Sequence, residues 1–211
     1  MNQIETIVKA VVEGSESETK AGVEAALQNG IPAGEIMQNG LVAAMAEVGL
    51  RFEKCEYFVP EMLVSARAMQ AGLALLKPQL MQSDVKATGR AVVGTVKGDI
   101  HDIGKNLVAL MLESAGFEVV DLGTDVPPEK FVTEVKAGKV DLISLSALLT
   151  TTMPSMADTI QALQSAGLRD KVKVIVGGAP VTESYAKQIG ADGYGLDANA
   201  AVRLAKNLVL K

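Results

Sequence analysis

A helical bundle followed by a doubly wound parallel α/β sheet is the fold this sequence predicts. Three observations carry the expectation. Residues 1–77 hold helical signals and almost no strand signals. From Arg90 onward, short β-branched runs alternate with helical stretches. Between them lies PQLMQSDVKATG, residues 78–89, polar and carrying Pro78 and Gly89, which reads as a linker.

The first helix covers 4–12. Ser15 and Glu18 stand at capping-box spacing for a second, which Asn29-Gly30 closes. Pro32 opens a third, with Ile36, Met37, Leu41, Ala44, Met45 and Val48 on one face. Pro60 opens a fourth through Met62, Leu63, Ala66, Met69 and Leu73, and Lys77-Pro78 is expected to stop it. Four helices of this kind make a small bundle.

Strands are expected at 91–96, 117–121, 141–146, 172–176 and, weakly, 191–195, with helices at 105–114, 128–136, 154–165, 182–189 and 198–210. This alternation predicts a Rossmann-like, flavodoxin-type five-stranded parallel sheet of order 2-1-3-4-5. The expected domains are 1–88, a helical cap, and 89–211, the sheet domain. Ligands of such sheets bind beyond the carboxyl ends of the strands, at the switch point between strands one and three.

Composition narrows the function. Apolar residues at 48% and charged residues at 21% support a packed core. The net charge of −5 and 3% aromatics speak against nucleic acid as a partner. One Cys and one His exclude a disulfide within the chain, a cysteine cluster and a multi-histidine metal site. No apolar run approaches the ~18 residues of a membrane span, and the N-terminus does not read as a signal peptide. A cytoplasmic protein is the expectation.

The strand ends hold the chemistry. After strand one comes Gly98-Asp99-Ile100-His101-Asp102-Ile103-Gly104, so the sole histidine falls at the switch point. Ser146, Leu148, Thr150 and Thr152 follow strand three, and Gly177-Gly178 follow strand four. Taken singly, each has an ordinary reading: a loop turn at His101, a capped helix start at Thr150–Thr152, a tight turn at the glycine pair.

Together they form Asp99-x-His101-x-x-Gly104, 41 residues (105–145), Ser146-x-Leu148, 28 residues (149–176), then Gly177-Gly178. This resembles the signature of the cobalamin-binding module shared by methionine synthase, corrinoid methyltransferase proteins and some adenosylcobalamin mutases. The helical half is similar to the cap of the methyl-transferring branch, through Val48-Gly49, Phe52, Tyr57-Phe58-Val59-Pro60-Glu61 and Ser65-Ala66-Arg67.

The resemblance implies a cobalamin or related corrinoid bound base-off, with His101 as the axial ligand to cobalt. Asp99 would orient that imidazole and Thr152 extend the relay, letting ligand release couple to proton uptake. Asp102, beside the histidine, is the competing carboxylate. Gly94, Gly98, Gly104, Gly177 and Gly178 would open a slot for the displaced nucleotide tail, with Ser146 and Thr150 hydrogen-bonding it. Ile100, Ile103 and Leu148 complete the contacts. Phe52 and Val59 match the two cap positions over the cobalt-bound methyl group. Met62 and Met69 read as bundle core, and Cys55 as incidental.

The resemblance further implies a methyl carrier, not an enzyme on its own. One substrate-specific methyltransferase would load it from an O- or N-methyl donor (an aryl methyl ether, methanol, a methylamine or a betaine). A second would unload it to tetrahydrofolate or a thiol, with a corrinoid reactivase as a further partner of such systems. The linker would let the cap move. A cobalamin-dependent sensor, a mutase subunit and a corrinoid-free flavodoxin-like domain are the alternatives.

Overall fold

The structure, a computed structural model, describes residues 2–80 and 87–210. It divides into two compact units, the first holding the described residues up to 80 together with 114–116, the second 87–113 and 117–210.

The first unit is helical. Helix α1 (Gln3–Val12) starts on a complete capping box, Asn2 with Glu5, and α2 (Glu16–Gln28) on Ser15, whose hydroxyl accepts the Glu18 N–H. Gly30, at φ +77°, ends α2 as the Asn-Gly pair predicts. The third helical stretch begins with a single turn, α3 (Ala33–Glu35), passes through a π-helical segment Ile36–Val42, and continues as α4 (Ala43–Glu53). Cys55, at φ +57°, turns the chain toward α5 (Val59–Leu80), whose start is marked by Glu61 accepting the Phe58 N–H at 2.9 Å.

Two expectations need correction here. Lys77-Pro78 does not stop α5, which runs through Pro78 to Leu80. Proline removes one N–H near the end of a long helix, and the fully buried Leu76 anchors that turn. The expected linker 78–89 therefore loses its first three residues to α5; residues 81–86 lie outside the described residues.

The core of this unit is aliphatic, with Ile7, Val23, Ile36, Leu41, Met62 and Met69 almost wholly buried. Gly72 lets α5 approach α2: a Cβ there would stand 3.0 Å from Thr19 Cγ2 and 3.1 Å from Leu41 Cδ2.

The second unit is the parallel sheet, of strands β1 (Arg90–Thr95), β2 (Glu118–Asp121), β3 (Leu142–Ser146), β4 (Lys173–Gly177) and β5 (Gly193–Gly195), in the order β2-β1-β3-β4-β5. Helices α6 (Ile103–Ser114), α7 (Pro128–Ala137), α8 (Pro154–Ser165), α9 (Glu183–Gln188) and α10 (Ala198–Val209) alternate with them. Strands covered on both faces should read as continuous apolar runs, and β1 is buried from Ala91 through Thr95. Gly94 leaves room for Phe131 of α7: a Cβ would lie 2.7 Å from the ring. Register pairs Thr95 with Ser146 and Ser146 with Gly177, which brings three chain ends to one edge of the sheet.

Among the described residues, no helix is long and apolar enough to cross a membrane. Gly72→Val should destabilise the helical unit by about 1–3 kcal/mol through overpacking. Urea unfolding followed by circular dichroism measures the loss, and an unchanged midpoint would contradict the close α2–α5 approach.

Candidate functional site

Asp99 is the centre of the site. It follows β1 in a turn made possible by Gly98 at φ +84°, and its side chain is completely buried. A buried carboxylate needs donors. Oδ1 accepts the His101 backbone N–H at 3.1 Å and lies 2.8 Å from His101 Nδ1. Oδ2 accepts the Leu148 N–H at 2.8 Å and the Leu149 N–H at 3.3 Å, and lies 2.7 Å from Thr152 Oγ1. Burial alone would raise this carboxyl's pKa. The hydrogen bonds from Thr152, Leu148 and the His101 backbone and ring outweigh it and hold the group well below the usual carboxylate range.

An ionised Asp99 is acceptor-only, so His101 must present Nδ1–H to it. In the neutral ring that leaves the lone pair on the other nitrogen, Nε2, which has no hydrogen-bond partner among the described residues. The imidazole is 46% exposed. On the same two loops, Ile100 and Ile103 are 76% and 86% exposed, and Leu148 and Leu149 each 43%. One nitrogen donor on loops that also expose apolar side chains fits a broad metal macrocycle.

Other contacts fix the loop. Buried Thr95 donates its hydroxyl to the His101 carbonyl at 2.8 Å, and Ser155 donates to the Lys97 carbonyl at 3.1 Å. Asp102 makes no hydrogen bond to the imidazole among the described residues. It accepts the Asn106 backbone N–H at 2.7 Å through its carbonyl and the Asn106 side-chain amide at 3.1 Å, which secures the first turn of α6. Lys105, with its side chain 4% exposed, pairs with Asp121 at the end of β2 and donates to Asn106 Oδ1 at 2.7 Å. Thr95, Ser155 and the Lys105–Asp121 pair escape sequence-based reasoning, since nothing in their spacing marks them.

The structure thus brings Gly98, Asp99, Ile100, His101, Asp102, Ile103 and Gly104 together on the β1–α6 loop and the start of α6, beside Ser146, Leu148 and Thr152. Ser146 is half-buried, and its carbonyl accepts the Val96 N–H at 3.0 Å. Thr150 is exposed on the loop before α8. Gly177 is adjacent through its carbonyl, which accepts the Ala147 N–H at 3.2 Å.

The glycines do not all act as expected. Of the five expected to open a slot, only Gly104 has open space, with nothing within 4 Å of a notional Cβ. The room at Gly94 is filled by Phe131. A Cβ at Gly177 would meet the Gly195 carbonyl oxygen at 3.0 Å, and one at Gly178 the Ala147 oxygen at 1.9 Å. Gly178, at φ +125°, is therefore required by the close passage of the β3 end.

Phe52 and Val59 belong to the helical unit. Phe52 is half-buried in α4, and Val59 is 41% exposed at the start of α5. Near them, Tyr57 donates its hydroxyl to the Val12 carbonyl at 3.0 Å, tying the α4–α5 turn to α1. Met62 and Met69 are buried, as expected of bundle core, and Cys55 is exposed.

Known proteins resemble this chain over nearly its whole length. The B12 binding domain family matches residues 89–203, and a second family of the same description matches residues 3–77. Dimethylamine corrinoid protein 2 of Methanosarcina acetivorans is 44% identical over 208 residues, covering 98% of this chain and 96% of that protein. Trimethylamine corrinoid protein 1 of the same organism is 46% identical over 189 residues, covering 89% and 88%. Among solved structures, the methanol:cobalamin methyltransferase complex MtaBC of Methanosarcina barkeri matches with a TM-score of 0.89 at 31% identity, covering 99% of this chain and 80% of that one. The chain belongs to the family of cobalamin-binding corrinoid proteins.

Proposed function

We propose that this protein carries a methyl group on a corrinoid between two methyltransferases, with His101 Nε2 as the lower axial ligand of a base-off cofactor. The observation that carries the assignment is the imidazole whose Nδ1 is held by a buried, ionised Asp99 while Nε2 stays free on loops that also expose apolar side chains. When bound, the corrinoid supplies a cobalt that accepts and gives up a methyl group. The chain supplies the rest.

Asp99 fixes the tautomer, so the Nε2 lone pair is available without a change of ring orientation. Asp99, held on the ionised side by its donors, accepts from the ring at Nδ1 and fixes its orientation. Thr152 Oγ1 lies 2.7 Å from Asp99 Oδ2 and 2.9 Å from the Leu149 carbonyl, so the hydroxyl steadies the carboxylate at the oxygen the ring does not use.

In this reading residues 89–211 hold the corrinoid, and residues 1–88 are the cap domain to which Phe52 and Val59 belong. Gly177 and Gly178 meet the nucleotide tail through backbone, with Ser146 and Thr150 hydrogen-bonding it. The family match over 3–77 supports the cap assignment, which sheet-only alternatives leave without a role. A methylated amine is the donor class best supported, since the relatives named for dimethylamine and trimethylamine are 44% and 46% identical, against 31% for the methanol system. A separate methyltransferase loads the group; a second, with tetrahydrofolate or a thiol as acceptor, removes it, and a reactivase restores the cofactor after oxidation.

Reconstitution with hydroxocobalamin and reduction to Co(II) tests the assignment. The wild-type protein should show electron-paramagnetic splitting by one axial nitrogen, and His101→Ala should lose it while retaining bound corrinoid. Unchanged splitting in His101→Ala would sink the axial-ligand reading; a folded wild-type protein that retains no corrinoid would sink the carrier itself.

A second expectation concerns acid. Asp99 has a pKa lowered by folding, so its contribution to stability is complete above the unfolded value of about 4 and fades as pH falls toward the folded value. The stability lead of wild type over Asp99→Asn should therefore shrink as the pH falls below about 4. Thermal melts of both proteins between about pH 5 and pH 2 measure it, and a lead undiminished across that range would refute the ionised Asp99.

A further inference from the structure

Asp125 lies in the loop between β2 and α7, and nothing in the sequence around it marks it as functional. It is one of two non-glycine residues with positive φ among the described residues, at +52°. Left-handed backbone is uncommon for a residue with a side chain, and an observed outlier of this kind points to a local task.

The task is visible in two hydrogen bonds. The Asp125 backbone N–H donates to the Asp99 carbonyl at 2.8 Å. Its Oδ1 accepts the Gly98 N–H at 2.7 Å. One residue therefore grips both ends of the Gly98–Asp99 dipeptide, the turn from which the Asp99 carboxylate reaches His101. The left-handed conformation is what turns the backbone N–H and the carboxylate toward the same turn.

The loop that presents Asp125 is itself fastened to β1. Thr95 N–H donates to the Gly123 carbonyl at 3.0 Å, Val126 N–H donates to the Thr95 carbonyl at 3.0 Å, and Val126 pairs with Val96 as an isolated parallel bridge. Asp125 is thus anchored on both sides by the last residues of the strand whose outgoing turn it holds.

We propose that Asp125 is a positioning residue for the Asp99–His101 pair, clamping the Gly98–Asp99 turn so that the imidazole keeps its orientation whether or not Nε2 is engaged. The proposal rests on His101 being the axial ligand. It assigns Asp125 no contact with the corrinoid and no proton transfer.

Two variants of the full chain separate the clamp from mere folding. Asp125→Gly relieves the left-handed strain and keeps the backbone N–H, so it removes only the carboxylate acceptor. Asp125→Asn keeps an oxygen acceptor and also tolerates this conformation. In the cofactor-free protein, hydrogen exchange at the Gly98 amide should quicken roughly three- to tenfold in Asp125→Gly and stay near wild type in Asp125→Asn. In the Co(II) form, the ratio of nitrogen-split to unsplit signal should fall by a similar factor in Asp125→Gly and recover in Asp125→Asn.

Wild-type exchange and wild-type splitting in Asp125→Gly would overturn the proposal. So would an Asp125→Asn protein that behaves like Asp125→Gly, because the acceptor alone would then not be what holds the turn. Loss of corrinoid retention with splitting unchanged would overturn it too, by making Asp125 a cofactor contact. Absence of nitrogen splitting in wild type defeats the axial-ligand reading instead, and the Gly98 amide then decides the clamp by itself.

Discussion

Everything at the site depends on the burial of one charge. Asp99 is ionised and shut away from water, a state that is costly unless its oxygens are fully partnered. Its donors come from its own turn and from the β3–α8 loop, far along the chain. Moving either loop would strand the carboxylate. The two segments are therefore locked in register by an electrostatic requirement, and His101, hydrogen-bonded to the same oxygen through backbone and ring, is locked with them.

The parallel sheet makes this possible. Because β1 and β3 are neighbours running in one direction, both release their chains at the same edge, and their outgoing loops meet. An antiparallel partner would have sent one of those loops to the far side. Apolar burial along β1 then fixes the height at which the turn begins, and Thr95, the last strand residue, uses its buried hydroxyl to hold the His101 carbonyl. Core packing and site geometry are continuous through this one residue.

Sequence patterning made the architecture legible because it obeys simple periods. Four strands follow from β-branched runs spaced by helices and their order from the doubly wound class, while the fifth, Gly193–Gly195, holds no β-branched residue and was only weakly marked; the helical unit follows from apolar spacing and capping residues. The π-helical segment at Ile36–Val42 was not legible: it widens one stretch of an otherwise regular helix, and its apolar spacing fits an α-helix nearly as well. Pro78 misled because local propensity was outweighed by burial of Leu76. At the site, composition and spacing placed His101 at the switch point, but Asp99 and Asp102 are equivalent as letters; choosing between them needed the family resemblance. Asp125 was invisible, since its role comes from a backbone angle and not from its neighbours in sequence. The glycines were half-legible: their lack of side chains was plain, whereas what occupies the space, Phe131 at Gly94 or the β3 chain end at Gly178, belongs to tertiary structure.

Thr152 shows how finely the same charge constrains side-chain choice. Any hydroxyl at this position could reach Asp99, and serine would supply one with three accessible rotamers. Threonine adds a methyl group, and that methyl, Cγ2, stands 3.6 Å from where a Cβ would project at Gly98, against the turn that carries Asp99. A β-branched side chain packed in this way has few alternatives at χ1. The hydroxyl is thus pre-aimed at the carboxylate, and the entropy lost in making that hydrogen bond has already been spent in folding. The carboxylate and the hydroxyl behind the imidazole therefore keep their places together, and the ring is held against a support that does not shift.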